Sequence, residues 1–205
     1  MSIVRTFGEP DLFVTVTCNP MWRKITENLL RHQTDSDWPD LVACVFNTKK
    51  DALIKMIIKD NVFGEVIAFN WVIEFQKRTL PHLHMLITLK HDFKIKTTDK
   101  VEQFVSAVIP NKTKKPTVYN IVTKSLLHGP CGDWCIVNEK CSKNFPKEFR
   151  NETTMDDNVY PYYRRKDKGI TFSRNDQIFN NRHVVPYDPT LSETFNCHIN
   201  VEIVS

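Results

Sequence analysis

Two histidines stand one residue apart in an apolar run of the sequence, at His82 and His84 of PHLHMLITLK. Side chains of a β-strand alternate between its two faces, so residues at this spacing point the same way. Their Cα atoms lie about 6.6 Å apart along a strand, which lets both imidazoles reach one metal ion. The pair therefore indicates metal binding.

A carboxylate comes into register with these histidines if the chain folds back as a hairpin about Arg78. Glu74 then lies across from His82 on the same face, and Gln76 shares that face as the substitute third ligand. Two imidazoles and one carboxylate suit a divalent ion that must also hold substrate or water. The alternative is a pair of partly buried histidines satisfied by hydrogen bonds, with Glu74 as their ion-pair partner.

A second group of metal-ligand residues has the spacing H-x2-C-x3-C-x5-C, and it consists of His128, Cys131, Cys135 and Cys141. Such a set can wrap a tetrahedral Zn²⁺, although the spacing is not that of a standard zinc finger. The N-terminus does not have the pattern of a secretory signal. We therefore expect a reducing compartment, where cysteines favour metals over disulfides. The alternative is a set of reduced thiols packed within a loop-rich segment.

The elements that position these groups follow from hydrophobic periodicity and turn signals. Strands are expected over 11–20, 63–76, 81–90 and 196–204. Helices are expected from Asn19, over 39–60 and around 98–109. Asn19 can cap the first helix, and Pro20 suits its first turn.

This order of elements predicts an α+β fold, with a central antiparallel sheet and helices packed on one face. Residues 1–110 are expected to form the core with the metal-binding hairpin. Residues 111–205 are expected to form an extension, rich in loops, cysteines, aromatic and basic residues, that returns to the sheet of the same domain.

Composition sets broad limits on function. The chain has 205 residues, 41% of them hydrophobic, and a net charge of +4. This is an ordinary globular composition, without an apolar run long enough to predict a transmembrane helix. Basic residues cluster at 111–116, 143–150 and 163–168, which becomes significant beside a site that contacts phosphate.

The hairpin sequence IEFQKRTLPHLHMLI resembles the histidine–hydrophobe–histidine motif of HUH endonucleases, in the version found in Helitron rolling-circle transposases. The upstream DLFVTVTCNPMW resembles the first motif of that family. Five further segments resemble its downstream blocks in the same order: HGPCG, CSKNFPKEF, YPYYRRKD, NRHVVPYDPTL and HINVEIV. The resemblance extends over about residues 7–204.

The resemblance implies an antiparallel sheet with the metal-binding strands at its centre. It also implies an activity, in which a tyrosine hydroxyl attacks a DNA phosphodiester to leave a 5′-phosphotyrosine link and a free 3′-OH. By this resemblance Mg²⁺ or Mn²⁺ is bound by His82, His84 and Glu74, with Gln76 in support. The implied partners are single-stranded DNA at transposon ends and, in a full-length protein, a C-terminal helicase domain. No membrane partner is expected, and the expected location is the nucleus.

The nucleophile of the family is a Tyr-x-x-x-Tyr pair on a helix that follows the HINVE-like block, so we expect it beyond residue 205. The substitutes within the sequence are Tyr160, Tyr162 and Tyr163. Pro161 disfavours a helix there. Base stacking is the alternative role for these tyrosines, with Arg164 and Arg165 on phosphate, and plain packing is another.

Other residues are expected along the DNA path. The resemblance places Thr15, Thr17 and Asn19 at its border, although Asn19 is equally well explained as a helix cap. Lys77 and Arg78 at the hairpin tip can contact the DNA backbone or form an exposed charged turn.

Three functions follow as hypotheses. The first is a single-stranded DNA endonuclease domain of a Helitron-like transposase, completed by downstream sequence. The second is a remnant that binds metal and single-stranded DNA without cleaving it. The third is a structural domain whose histidines are merely buried.

Overall fold

The computed structural model describes residues 3–75, 80–132, 135–156 and 160–204. The α-helices of these ranges are α1 (Ile3–Phe7), α2 (Arg23–Thr26), α3 (Pro39–Ile58), α4 (Thr98–Phe104), α5 (Pro116–Ser125) and α6 (Pro189–Phe195), and short 3-10 helices cover Asp35–Asp37, His91–Phe93 and Asn181–His183. The longer strands are β1 (Leu12–Thr17), β2 (Val66–Phe75), β3 (Pro81–Leu89) and β10 (His198–Ile203). The shorter ones are β4 (Ile136–Val137), β5 (Lys140–Cys141), β6 (Thr154–Met155), β7 (Pro161–Tyr162), β8 (Phe172–Arg174) and β9 (Gln177–Phe179).

The four longer strands form one antiparallel sheet in the order β10–β1–β3–β2. The histidine strand β3 is therefore internal, whereas β2 is an edge strand of the described sheet. Strand β1 alternates buried and half-buried residues along its length, as a strand covered differently on its two faces should. The predicted α+β fold with an antiparallel sheet is confirmed.

The apolar face of the sheet packs against α3 and α6. Leu83, Met85 and Ile87 of β3 are fully buried in this core. The helices contribute the buried side chains Val42, Val45, Phe46, Leu53, Ile57, Leu191 and Phe195. Burying one such side chain contributes about 1.5–3 kcal/mol, so this layer is the main source of the fold's stability.

Helix α3 runs through residues 46–50, four of which are polar, without a break. Lys50 is buried there, but its ammonium donates to Asn47 Oδ1 at 2.7 Å and lies 3.1 Å from Asp51 Oδ1. The same ammonium lies 4.5 Å from the ring centroid of Trp71 on β2. A buried lysine is tolerated when its charge is paired in this way, so the helical prediction for 39–60 holds.

The helix predicted from Asn19 is wrong in its extent. Helix α2 begins at Arg23 and has one turn, and its N-cap is Trp22. The Asn19 side chain instead accepts from the Met21 N–H at 2.9 Å and donates to the Asn196 carbonyl at 2.7 Å. Asn19 thus ties this turn to the loop before β10.

The region after residue 111 contains a helix that the sequence interpretation did not include. Helix α5 starts at Pro116, which suits a first turn, and buries Val118, Ile121 and Val122. These join a second core cluster with Leu126, Leu127, Ile109, Phe179, Val184 and Tyr187. The remainder of this region is rich in loops and short hairpins, as predicted.

Strand β10 pairs with β1 over its whole length, from His198 opposite Thr17 to Ile203 opposite Leu12. The C-terminal region therefore completes the central sheet. The boundary between residues 110 and 111 stays a prediction. None of the helices in the described ranges is long and apolar enough to cross a membrane.

Candidate metal and nucleic-acid site

The hairpin of β2 and β3 has the register that the sequence predicts. Glu74 pairs with His82 and Val72 pairs with His84. Gln76, Lys77 and Arg78 lie outside the described residues. His82 and His84 line a cavity of about 1040 Å³ on the face of the sheet opposite α3.

Each hairpin histidine faces a threonine of β1. Thr17 pairs with His82 and Thr15 pairs with His84. The threonine Oγ1 atoms lie 3.0 Å from Nδ1 of His82 and 3.2 Å from Nδ1 of His84. Occupying Nδ1 in this way leaves Nε2 as the ring atom that can bind an ion, and it fixes the orientation of each ring.

The carboxylate approaches the second histidine rather than the first. Glu74 Oε2 lies 3.4 Å from His84 Nε2, diagonally across the hairpin from its register partner His82. The two imidazole centroids are 6.3 Å apart, and Phe13 stacks on His84 with centroids 5.7 Å apart. The set is thus an open arrangement of two nitrogen donors and one oxygen donor.

Burial controls the charge of His82. Burial lowers the pKa of His82. Charge repulsion from His198 and His84 lowers this pKa further, whereas the Glu74 carboxylate acts to raise it. A neutral imidazole is the form that binds metal, so this environment favours the ligand state.

Three polar residues of β10 complete the floor of the cavity, and they were not predicted as site residues. They are His198, Asn200 and Glu202, which lie at every second position of the strand and therefore share one face. His198 Nδ1 lies 2.7 Å from the Ser125 carbonyl. Because a carbonyl only accepts, Nδ1 carries the proton and Nε2 keeps its lone pair.

Glu202 is a buried carboxyl group at the same floor. It accepts from the Tyr163 hydroxyl at 3.2 Å and from the Asn200 amide at 3.3 Å. Burial raises the pKa of Glu202, and these hydrogen bonds offset part of that shift. The alternation in HINVE indicates that His198, Asn200 and Glu202 share one face of a strand. The sequence does not indicate that this strand lies beside β1 and faces the histidine cavity.

The three tyrosines of the predicted cluster separate into two environments. Tyr163 is buried, donates to Glu202 and accepts from the Ile203 N–H at 3.1 Å. Burial also raises its pKa well above the usual value. Tyr160 and Tyr162 are exposed at the cavity, and the Arg150 guanidinium lies 4.7 Å from the Tyr162 centroid.

Arg164 and Arg165, two of the three arginines predicted to contact DNA, have protein partners. Arg164 Nη1 lies 2.7 Å from Glu102 Oε2. Arg165 is buried, and its Nη1 donates to the carbonyls of Asn181 and Val184, both at 2.7 Å. Burial lowers the pKa of Arg165 to about 10. These contacts give Arg165 a structural role.

A basic segment borders the cavity. Lys143, Lys147 and Arg150 all line it, as do the aromatic rings of Phe145 and Tyr162. Burial lowers the pKa of Lys147, and Arg165 lowers it further. This segment includes the cluster 143–150 noted in the sequence, and its position beside the histidines could not be read from the sequence alone.

The His128, Cys131, Cys135 and Cys141 side chains meet at one point. Their ligand atoms all lie within 4.8 Å of one another, and this is the one such group of three or more found among the described residues. The cluster could hold a zinc-like ion. The turn Asn138–Glu139 of the β4–β5 hairpin, at positive φ, brings Cys135 and Cys141 together.

The thiols differ in their electrostatics. Burial raises the pKa of Cys131 to about 12, and its neighbouring thiols add to this. Burial acts to raise the pKa of Cys141, but hydrogen bonds from the N–H groups of Phe145 and Lys143, together with those of the Cys135 and Cys131 thiols, lower it, and the net shift is downward. Of these two thiols, Cys141 is the one that its environment more readily converts to a thiolate ligand.

Comparison with known proteins finds a similarity for the N-terminal part of the chain. No curated protein matches the sequence. Residues 1–87 match the family model described as the Helitron helicase-like domain at the N-terminus, and this match covers β1, β2 and most of β3. Residues 1–87 are thus similar to this family's N-terminal domain.

Proposed function

We propose that this chain is a metal-dependent, HUH-type single-stranded DNA endonuclease domain of a Helitron-like transposase. The observation that carries the proposal is the histidine pair on an internal strand, with each Nδ1 held by a threonine and the cavity lined by four lysine and arginine side chains. The family match over residues 1–87 supports it.

The donor types at the hairpin suit a divalent ion, and the ligand atoms of Glu74, His82 and His84, which do not all lie within 4.8 Å of one another, would converge on binding it. His82 and His84 offer Nε2 atoms, and Glu74 offers a carboxylate beside His84. A bound Mg²⁺ or Mn²⁺ would supply Lewis-acid stabilisation of a scissile phosphate. Thr15 and Thr17 orient the two rings, while Lys143 and Lys147 would counter the charge of the DNA backbone.

The proposed nucleophile is a tyrosine in sequence beyond residue 205. A helicase domain would follow it in a longer protein. Transposon-end DNA is the proposed substrate and the nucleus the proposed location. Within the described residues Tyr163 is buried and bonded to Glu202, which leaves Tyr160 and Tyr162 as the accessible hydroxyls of that cluster.

A titration with Mn²⁺ tests the metal site. Electron paramagnetic resonance should detect Mn²⁺ binding to the wild-type protein. The double variant His82→Ala/His84→Ala should lose that binding. His91→Ala is the matched control, because His91 is an exposed histidine outside the cavity. Identical titrations of the wild type and the double variant would refute the metal site and favour histidines that are merely buried.

A second candidate function is binding without cleavage. It is favoured by the tyrosine environments, since burial and Glu202 raise the pKa of Tyr160 and so oppose formation of a phenolate nucleophile. Residues 1–205 should then bind labelled single-stranded DNA with Mn²⁺ and leave it intact. A protein–DNA adduct that survives SDS, and disappears in Tyr160→Phe or Tyr162→Phe, would contradict this candidate.

A further inference from the structure

We infer that Lys143, Lys147 and Arg150 form a phosphate-binding wall of the histidine cavity, and that a zinc ion in the His128–Cys131–Cys135–Cys141 cluster holds the Lys143 end of this wall in place. The ligand is the backbone of single-stranded nucleic acid. The choice of ligand rests on the proposed function, whereas the link between cluster and wall rests on contacts alone.

The cluster has the dimensions of a tetrahedral zinc site. His128 Nε2 lies 3.2 Å from Cys141 Sγ, 3.3 Å from Cys131 Sγ and 3.7 Å from Cys135 Sγ. The Cys135 and Cys141 sulfurs are 3.6 Å apart. Ligands of a tetrahedral zinc ion are separated by about 3.6–3.8 Å, given Zn–N and Zn–S bonds of about 2.1 and 2.3 Å. The separations of 3.6 and 3.7 Å match this range and those of 3.2 and 3.3 Å are shorter, so the four ligands converge closely enough to surround one centre.

The wall begins directly at the last ligand of the cluster. The Lys143 N–H donates to Cys141 Sγ at 3.4 Å, and the Asn144 N–H donates to the Cys141 carbonyl at 2.8 Å. The Phe145 ring stacks on the His128 imidazole with centroids 4.3 Å apart. His128 itself lines the histidine cavity. Displacing the ligands would therefore displace the start of the wall.

The far end of the wall is held instead by hydrogen bonds to Arg182 and Arg165. The Lys147 N–H donates to the Arg182 carbonyl at 2.9 Å, and Arg182 Nε donates to the Lys147 carbonyl at 2.7 Å. Arg150 and Arg165 exchange backbone hydrogen bonds at 3.2 and 2.9 Å. Loss of zinc should thus loosen the segment around 143–146 and leave the sheet in place.

The charges and rings of the cavity favour a single-stranded polyanion. Two acidic groups line it together with the cations: Glu148, which is exposed and pairs with Arg150 at 3.3 Å, and the buried Glu202. The cations remain in excess. Tyr160 and Tyr162 offer exposed rings in the same cavity, and stacking on such rings is how unpaired bases are bound without sequence preference.

The test measures zinc and DNA affinity on the same protein samples. Zinc is determined by elemental analysis, and affinity by fluorescence anisotropy with a labelled oligodeoxythymidine in buffer without Mg²⁺ or Mn²⁺. Wild type should contain one zinc per chain. Cys135→Ser should lose the zinc and bind the oligonucleotide about tenfold more weakly, whereas Cys44→Ser, at an exposed cysteine outside the cluster, should match wild type.

The wall is tested by Lys147→Ala, which should keep its zinc and lose about tenfold in affinity, with a salt slope lower by about 1. Lys55→Ala, on the exposed side of α3, is the control and should change neither quantity. If Cys135→Ser does not fold, zinc is removed from wild type with a selective chelator. Circular dichroism should then report an intact sheet, and DNA affinity should fall and return on zinc addition.

Three results would overturn the inference: wild type without zinc, zinc loss without a change in DNA affinity, or an unchanged affinity in Lys147→Ala. These outcomes do not depend on metal binding at the hairpin, because the assay omits Mg²⁺ and Mn²⁺. A protein that fails to bind Mn²⁺ at His82 and His84 but passes these tests would refute the nuclease and leave the zinc-held wall standing.

Discussion

Hydrogen bonds to one ring nitrogen define what the cavity histidines can do. His82, His84 and His198 each place Nδ1 within 3.2 Å of an oxygen atom, from Thr17, Thr15 and Ser125 respectively. Nε2 is in each case the atom left for a ligand. The threonines therefore belong to the candidate metal site, although they would not touch the ion.

Replacing Thr17 by valine should weaken Mn²⁺ binding by about tenfold or more, because the His82 ring loses the partner that orients it. Valine keeps the shape and the β-propensity of threonine, so the sheet should be retained. Thr17→Ser keeps the hydroxyl and should bind Mn²⁺ as wild type does. Calorimetric titration measures both variants, and an unchanged affinity in Thr17→Val would show that the bond to His82 does not support the site.

Arg165 is expected to matter for stability rather than for DNA affinity. Its side chain satisfies buried carbonyls of Asn181 and Val184, and a methionine would leave them without this donor. Arg165→Met should lower the free energy of unfolding by about 3 kcal/mol or more, measured by urea denaturation. Arg164→Met, which removes one half-exposed ion pair to Glu102, should cost about 1 kcal/mol or less. Equal losses would contradict this assignment.

The hairpin contacts were partly predictable because they depend on local rules. Alternation and a short turn are enough to set Glu74 opposite His82. The contact of Glu74 with His84 and the threonine bonds depend on rotamers and on β1 lying beside β3. Thr17 and His82 are 65 residues apart, and no local pattern reports which distant strand becomes a neighbour.

Among the elements, helices were predicted well where their apolar stripe is buried. Helix α3 buries its stripe and has its expected length. Helix α2 buries only Ile25 within its turn, and Leu30 is exposed, so little tertiary packing supports a longer helix. Helix α5 gains that support from the second core cluster. Burial by distant segments, rather than propensity, decides these two cases.

Helix α6 has an N-cap whose charge should make stability depend on pH. Asp188 accepts from the Leu191 N–H at 2.6 Å, yet burial raises the pKa of its carboxyl group from 3.8 to about 6. A folded-state pKa above the unfolded value means stability that is present below pH 3.8 and lost as pH rises through about 6. The ionised cap is therefore unfavourable at pH 8.

Asp188→Asn should be more stable than wild type at pH 8 by about 2–3 kcal/mol and equally stable near pH 3.5, since asparagine keeps the cap without the charge. Chemical denaturation across this pH range measures the difference. Asp188→Ala removes the cap together with the charge and should be less stable than Asp188→Asn at every pH. A constant difference between wild type and Asp188→Asn would contradict the raised pKa.

On the scale of the whole molecule, the ends of the chain meet in one sheet. The family match over residues 1–87 includes the histidine hairpin and β1, while β10, the basic wall and the His/Cys cluster lie outside it. The cavity is thus assembled from both parts. The sequence predicted each cluster separately, but the walls of the cavity depend on the path of residues 111–204, which has little periodicity.

The same arrangement predicts that residues 1–110 do not fold alone. Such a fragment would leave one edge of β1 unpaired and remove the fully buried side chains of Ile199, Val201 and Ile203, together with Leu191 and Phe195 of α6. At about 1.5–3 kcal/mol each, these five side chains amount to the whole stability of a typical domain. The fragment should show poor chemical-shift dispersion and no cooperative urea transition, whereas the 205-residue chain should show both. A cooperative transition of the fragment with a midpoint near that of the whole chain would make residues 1–110 an independent domain and refute the shared sheet as the basis of stability.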